Sequence, residues 1–182
     1  LTGRYSFIPD RVLDPHFDLH GTIRGVGSGV ELGWTRDGFH AIAVAELVPV
    51  LTPDSIWLEA DARNDEATWV EVDLRLLSYG LIFAYEWRLF GPVSLMPTVG
   101  YVPVHLKGEL REFPTDGERG TPVEERTKAV GFDGKPIRIP VNFPSSDLGL
   151  RLRVEPSEHL FLSLDAGWRL VIYTGLTAGL AF

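Results

Sequence analysis

Apolar and polar residues alternate along most of this chain. In the run SSDLGLRLRVEPSEHLFLSLDAGW, Leu148, Leu150, Leu152 and Val154 share one face, and Asp147, Gly149, Arg151 and Arg153 share the other. After a turn at Pro156-Ser157-Glu158, Leu160, Leu162, Leu164, Ala166 and Trp168 oppose Ser163, Asp165, Gly167 and Arg169. A period of two broken by turn residues predicts a β-hairpin with one apolar face and one charged or small face.

The signature recurs upstream. Val30, Leu32 and Trp34 oppose Glu31 and Gly33 ahead of a turn at Arg36-Asp37-Gly38. Ile56, Leu58 and Ala60 oppose Glu59 and Asp61; after a turn near Asn64-Asp65, Val70, Val72, Leu74 and Leu76 oppose Glu71, Asp73 and Arg75. Leu81, Phe83, Tyr85, Trp87 and Leu89 oppose Glu86 and Arg88, with a turn at Gly91-Pro92 and a new strand from Val93. Leu176, Ala178, Leu180 and Phe182 oppose Gly175, Thr177, Gly179 and Ala181. With a first strand over Thr2 to Ile8, the count is about ten antiparallel strands. It falls to eight if the first 27 residues or the segment Pro49 to Ala62 do not span. Every second connection reads as a tight turn (Arg36 to Gly38, Arg63 to Glu66, Gly91-Pro92, Pro156 to Glu158), and two others are long, Pro9 to Gly27 and Phe113 to Phe143. The chain is expected to be one domain over residues 1–182, with a Gly-, Pro- and charge-rich external loop around 113–143.

Such a chain closes either as a soluble barrel with its apolar face inward or as a membrane barrel with that face toward lipid. The polar face mixes Gly, Ser and Thr with Asp, Glu and Arg, and Lys is missing from the strands except around Lys107. Small residues with Arg–carboxylate pairs suit a crowded lumen, whereas soluble edges favour Lys. Aromatics cluster at the tight turns (Trp34, Phe39, Trp69, Trp87, Phe90, Phe161 and Phe182), and Tyr79, Tyr101, Trp168 and Tyr173 are placed to form a second belt. These features point to lipid. The expected fold is an all-β, antiparallel, up-and-down transmembrane barrel with both termini at the periplasmic side.

The final strand, with Leu176, Ala178 and Leu180 alternating up to Phe182, resembles the C-terminal signal that the barrel-assembly machinery reads in bacterial outer-membrane proteins. The run LSLDAGWRLVIYTGLTAGLAF resembles the closing hairpin of small barrels of the OmpA, OmpX and OmpW kind. The resemblance implies a place in the bacterial outer membrane, with its lipid, the assembly machinery and other envelope proteins as partners.

Composition adds exclusions. A formal net charge of −8 argues against a nucleic-acid footprint, and zero cysteines exclude disulfides and thiolate metal sites. The most apolar run, Ala41 to Leu51, is broken by Glu46 and Pro49 and is too short for a membrane helix. No signal peptide begins at Leu1, so a processed or a cytosolic chain is expected.

Candidate chemistry is sparse. Asp14, His16, Asp18 and His20 in DPHFDLH would share one face of an extended segment, a geometry able to hold a divalent ion. An Asp–His pair on an exterior loop is also similar to the water-activating pairs of omptin proteases, though the likeness extends only to strand count; a solvated polar loop is the plainer reading. Glu71, Asp73, Arg75, Glu86, Arg88, Asp147, Arg151, Arg153, Asp165 and Arg169 are expected to form a charge network filling a narrow lumen, with an acid–base site as the alternative. His40 joins that network; His105, with Lys107, Glu109 and Arg111, sits on a strand projecting beyond the bilayer, and His159 faces solvent. No Ser-His-Asp triad is assigned and no cofactor is expected. The leading function is a plugged structural or interaction barrel, or a subunit of an envelope assembly. A lipid- or peptide-hydrolysing enzyme at the external rim and a narrow channel are the alternatives.

Overall fold

The computed structural model describes residues 1–62, 67–114, 136–138 and 141–181. The elements are β1 (Thr2–Phe7), α1 (Asp10–Leu13), β2 (Phe17–Leu19), β3 (Arg24–Arg36), β4 (Phe39–Pro49), β5 (Ser55–Glu59), β6 (Thr68–Tyr85), β7 (Trp87–Phe90), β8 (Val93–Tyr101), β9 (Val104–Pro114), β10 (Pro136–Arg138), β11 (Val141–Phe143), β12 (Ser146–Ser157), β13 (Leu160–Arg169) and β14 (Val171–Leu180). Eight strands close an antiparallel barrel in the order β1-β3-β4-β6-β8-β12-β13-β14 and back to β1. Among the described residues, no helix is long and apolar enough to cross a membrane.

The strand count is eight, not ten, for two reasons. The segment Pro49 to Ala62 does not span; it places the short β5 against the start of β6, beyond the barrel wall. The runs around Val70–Leu76 and Leu81–Tyr85 are one strand of 18 residues. Gly80 between them marks a close backbone approach, not a turn, since a Cβ there would lie 2.1 Å from the Tyr101 carbonyl oxygen. β8 and β9 face β6 in one continuous register, from Ala84↔Thr98 to Thr68↔Pro114, interrupted only at Val102-Pro103.

Connections sort by end. The β3–β4 turn, the β7–β8 hairpin, the β12–β13 turn and the start of β1 share one end. Asp37 and Gly38 both have positive φ, 52° and 79°, the backbone of a two-residue hairpin turn matched to strand twist. At the opposite end lie the connection carrying α1 and β2, the connection carrying β5, the long segment after β9, and the abrupt β13–β14 reversal at Leu170. Residues 63–66, expected as a tight turn of the first end, lie outside the described residues, and the β5–β6 connection holding them belongs to the second end. The expected loop 113–143 also falls largely outside them; its described pieces, β10 and β11, pair with β9.

Burial is inverted relative to a water-soluble fold. Leu150, Leu162 and Leu180 are 49%, 49% and 62% exposed, while Arg151 and Asp165 are 4% and 3% exposed. Leu152, Leu164 and Leu176 stand side by side across three strands on the outer surface. Trp34, Phe39, Trp87 and Phe90 face outward at the turn end, and Tyr79, Tyr101 and Trp168 toward the other end. Three aromatics depart from the expected belts. Tyr173 is buried inside, Phe161 lies under the Arg153 guanidinium, and Trp69 sits far out on β6 beyond the wall. Inside, Ile42, Val44, Ile82 and Val102 form an apolar cluster from β4, β6 and the junction between β8 and β9.

β6 and β9 continue past the barrel, and there the pattern flips. Below Ser78 on the wall, odd-numbered Tyr79, Leu81, Phe83 and Tyr85 face out; above it, Glu71, Asp73 and Arg75 occupy that outward phase. The apolar Val70, Val72, Leu74 and Leu76 take the inward phase. β9 does the same, with Val104 and Leu106 inward and Lys107, Glu109 and Arg111 outward. β6, and the path from β8 into β9 beside it, change over at one level, the pair Ser78↔Val104.

Candidate functional site

Strand parity alone brings the central charges together. On antiparallel neighbours, Arg151 stands opposite Asp165, and Asp165 opposite Gly175, which in turn faces Arg4 across the β1–β14 seam. Arg4, Asp147, Arg151 and Asp165, which share this phase, are all buried. Arg151 grips Glu31 with two hydrogen bonds of 2.8 and 2.9 Å, the bidentate fork that suits a guanidinium. Arg4 lies 2.9 Å from Glu46, 3.2 Å from Asp165 and 3.3 Å from Glu31, so one side chain of the first strand ties β3, β4 and β13 together. Arg169 donates to Asp147 at 2.8 Å and also pairs with Glu46.

Three guanidiniums thus sit among four carboxylates. The Tyr173 hydroxyl, 3.2 Å from each Asp147 oxygen, donates a further hydrogen bond, and the Arg4 guanidinium lies 4.4 Å over its ring. Burying these ions is costly alone; the mutual pairing offsets it, and loss of one member strands the others. A cavity of about 30 Å³ lies beside the network, lined by Arg4, Ser6, Glu46, Ser78, Arg169 and Tyr173 among others. An eight-stranded barrel is just wide enough for its side chains to fill.

A second layer closes the turn end. His40 Nε2 lies 3.0 Å from Glu86, and its Nδ1 lies 2.9 Å from the Thr35 hydroxyl. Arg153 pairs with Glu155 at 2.8 Å. A shallow depression of about 180 Å³, lined by Glu86, Arg88, Ser94, Glu155 and Glu158 among others, opens outward from this layer.

Of the ten charges expected in the lumen, Asp147, Arg151, Asp165 and Arg169 interlock at its centre. Glu86 and Arg153 belong to the turn-end layer, and Arg88 is exposed there. Glu71, Asp73 and Arg75 are not in the lumen: β6 keeps one phase throughout, which turns them outward beyond the wall. The residues missed are Arg4, Glu31, Glu46 and Tyr173. Glu31 and Arg4 carried the usable signal, each standing opposite an apolar neighbour in an alternating strand. Glu46 shares a face with Ile42 and Val44, so its side was masked by apolar residues on both faces of β4.

The acidic–histidine segment is not extended as expected. Asp10–Leu13 is helical, Asp14 caps it, and only Phe17–Leu19 is strand, so the four side chains do not share a face. Asp14 and His20 meet at 3.1 Å, and His16 and Asp18 are exposed apart from them. Among the described residues no group of three or more His, Asp or Glu is placed to hold a metal ion. His105 stacks on Tyr79 outside the barrel, and its Nδ1 approaches Asn142 at 2.5 Å.

Gly175 offers a direct test of the network's geometry. A Cβ there would lie 2.9 Å from Arg4 Cγ and 3.1 Å from Asp165 Oδ2, in the gap through which these two meet. Gly175→Val is expected to lower unfolding free energy by about 1–3 kcal/mol through overpacking. Gly33→Val, where the nearest atom is 3.8 Å away, should change it far less; equal effects in chemical denaturation would refute the argument.

No family model, curated protein or solved structure matches this chain.

Proposed function

We propose that this chain is a β-barrel of the bacterial outer membrane with a closed lumen, acting as a structural or interaction barrel that presents its elaborated end to partners in the envelope. The observation that carries the reading is the inversion of burial: leucines and aromatics cover the outside while arginines and carboxylates fill the middle. In water such a surface would far exceed the apolar patch a soluble monomer tolerates. Its height also fits. The outward residues of β14 run from Ile172 to Leu180; at about 3.3 Å per residue and a tilt of roughly 40°, this spans roughly 20 Å, close to the apolar band of known barrels.

The changeover of β6 and of the path from β8 into β9 at one level supports the same reading. A sheet that leaves hydrocarbon must turn its apolar face inward and its charges outward. The outward Leu176, Ala178 and Leu180 on the last strand suit capture by the barrel-assembly machinery; Phe182, the remaining member of that expected signal, lies outside the described residues. The second reading, a hydrolase at the rim, draws only on the Asp14–His20 contact.

Heat-modifiable migration tests the proposal. The purified chain should require detergent and shift its gel position on boiling, and planar bilayers containing it should show no conductance steps. A chain that stays monomeric in plain buffer would overturn the membrane reading; steady single-channel currents would replace the closed lumen with a pore.

A further inference from the structure

We propose that the outer face of the β6–β9 extension binds the phosphate of membrane lipid, with Arg75 and Lys107 as the binding pair; this rests on the membrane reading above. Along that face, Leu77 stands opposite His105, Arg75 opposite Lys107, Asp73 opposite Glu109 and Glu71 opposite Arg111. Two successive rungs therefore set like charges directly across from each other, which costs stability in a sheet. Exchanging Lys107 with Glu109 would give two opposite-charge pairs on the same strands. On β6 and β9 the cations stand on the first charged rung past Ser78↔Val104 and the carboxylates about 7 Å further along, where β10 adds Arg138 opposite Glu109.

The surroundings match a headgroup layer. Directly below, Tyr79 and His105 stack with centroids 4.9 Å apart and planes 14° from parallel, as the last rings of the outward belt. Arg75 and Lys107 are exposed, and among the described residues neither is held by a carboxylate, whereas Arg111 pairs with Glu109 at 3.6 Å. Lipid phosphates lie just outside the hydrocarbon, where Lys and Arg side chains are attracted to them, with ammonium groups or divalent ions further out to meet carboxylates. Two cations at that depth, with no carboxylate partner among the described residues, are complementary to phosphate.

The test is lipid retention. The full chain is folded into phosphatidylcholine vesicles containing a minority of phosphatidylglycerol, extracted gently, and its bound lipid counted by native mass spectrometry. The wild type should keep phosphatidylglycerol in preference to phosphatidylcholine, and the R75Q/K107Q variant should lose that preference by about tenfold or more. D73N/E109Q should retain or strengthen it. Equal retention by wild type and R75Q/K107Q, with both still heat-modifiable, overturns this proposal and leaves the membrane reading intact; loss of preference in D73N/E109Q overturns it as well. Displacement by millimolar inorganic phosphate would reassign the pair to a soluble anion and likewise overturn it. A chain that never enters vesicles overturns both readings.

Discussion

Replacing Leu164 by Arg should cost about 2–4 kcal/mol of unfolding free energy in lipid vesicles, the penalty for a cation on a barrel's lipid face near the bilayer midplane. Leu164 is 54% exposed and flanked by Leu152 and Leu176 on the neighbouring strands, with no charge among its cross-strand partners. At a half-exposed site facing water the same change would fall within about 0.5 kcal/mol. The two environments thus give outcomes well separated by a urea titration. Leu160→Arg, at the turn end of the same strand, should cost clearly less, because the penalty fades toward the interface. A flat profile between the two positions would mean that no hydrocarbon surrounds the barrel.

The second large effect concerns the interior. Arg169→Met removes the cation paired with Asp147 and one of the two paired with Glu46, the other being Arg4. The expected loss is about 3–5 kcal/mol, the cost of breaking a buried pair from one side. Removing those two charges as well, in E46Q/D147N/R169M, should recover most of it, since the ions that remain, Arg4, Arg151, Glu31 and Asp165, still pair with one another and replacing buried ions together is often near neutral. Denaturant midpoints for the single and triple variants, with slopes checked for two-state behaviour, decide it. A single-variant loss below about 1 kcal/mol would show that the network contributes little, whatever its geometry.

Much of this was legible before any coordinates. The hairpin Leu148–Trp168 gave its faces directly, because side chains alternate with a period of two and Arg151 cannot share a side with Leu150 or Leu152. The same rule fixed Leu162 against Asp165 and Leu176 against Thr177. The rule failed at Leu76-Leu77. There two adjacent leucines shift the apolar phase without a turn, and the shift reads as the end of one strand and the start of another. The coordinates show one strand, in which Glu71, Asp73 and Arg75 share a face with Tyr79, Phe83 and Tyr85. Local contrast alone therefore points Glu71, Asp73 and Arg75 into the lumen, whereas the strand's own phase sends them outside.

Within each strand, the sequence by itself determined which residues stand together and which oppose, and hence that this is an antiparallel all-β chain with one apolar and one charged face per hairpin. The tertiary structure alone decided the number of strands in the wall, and it brought Arg4 of the first strand between Glu31, Glu46 and Asp165. It also decided that β6 and β9 leave the barrel together at Ser78↔Val104. The reason is physical: alternation is a local property of the extended backbone, while closure, stagger and the level of the rim depend on pairings between strands distant in sequence.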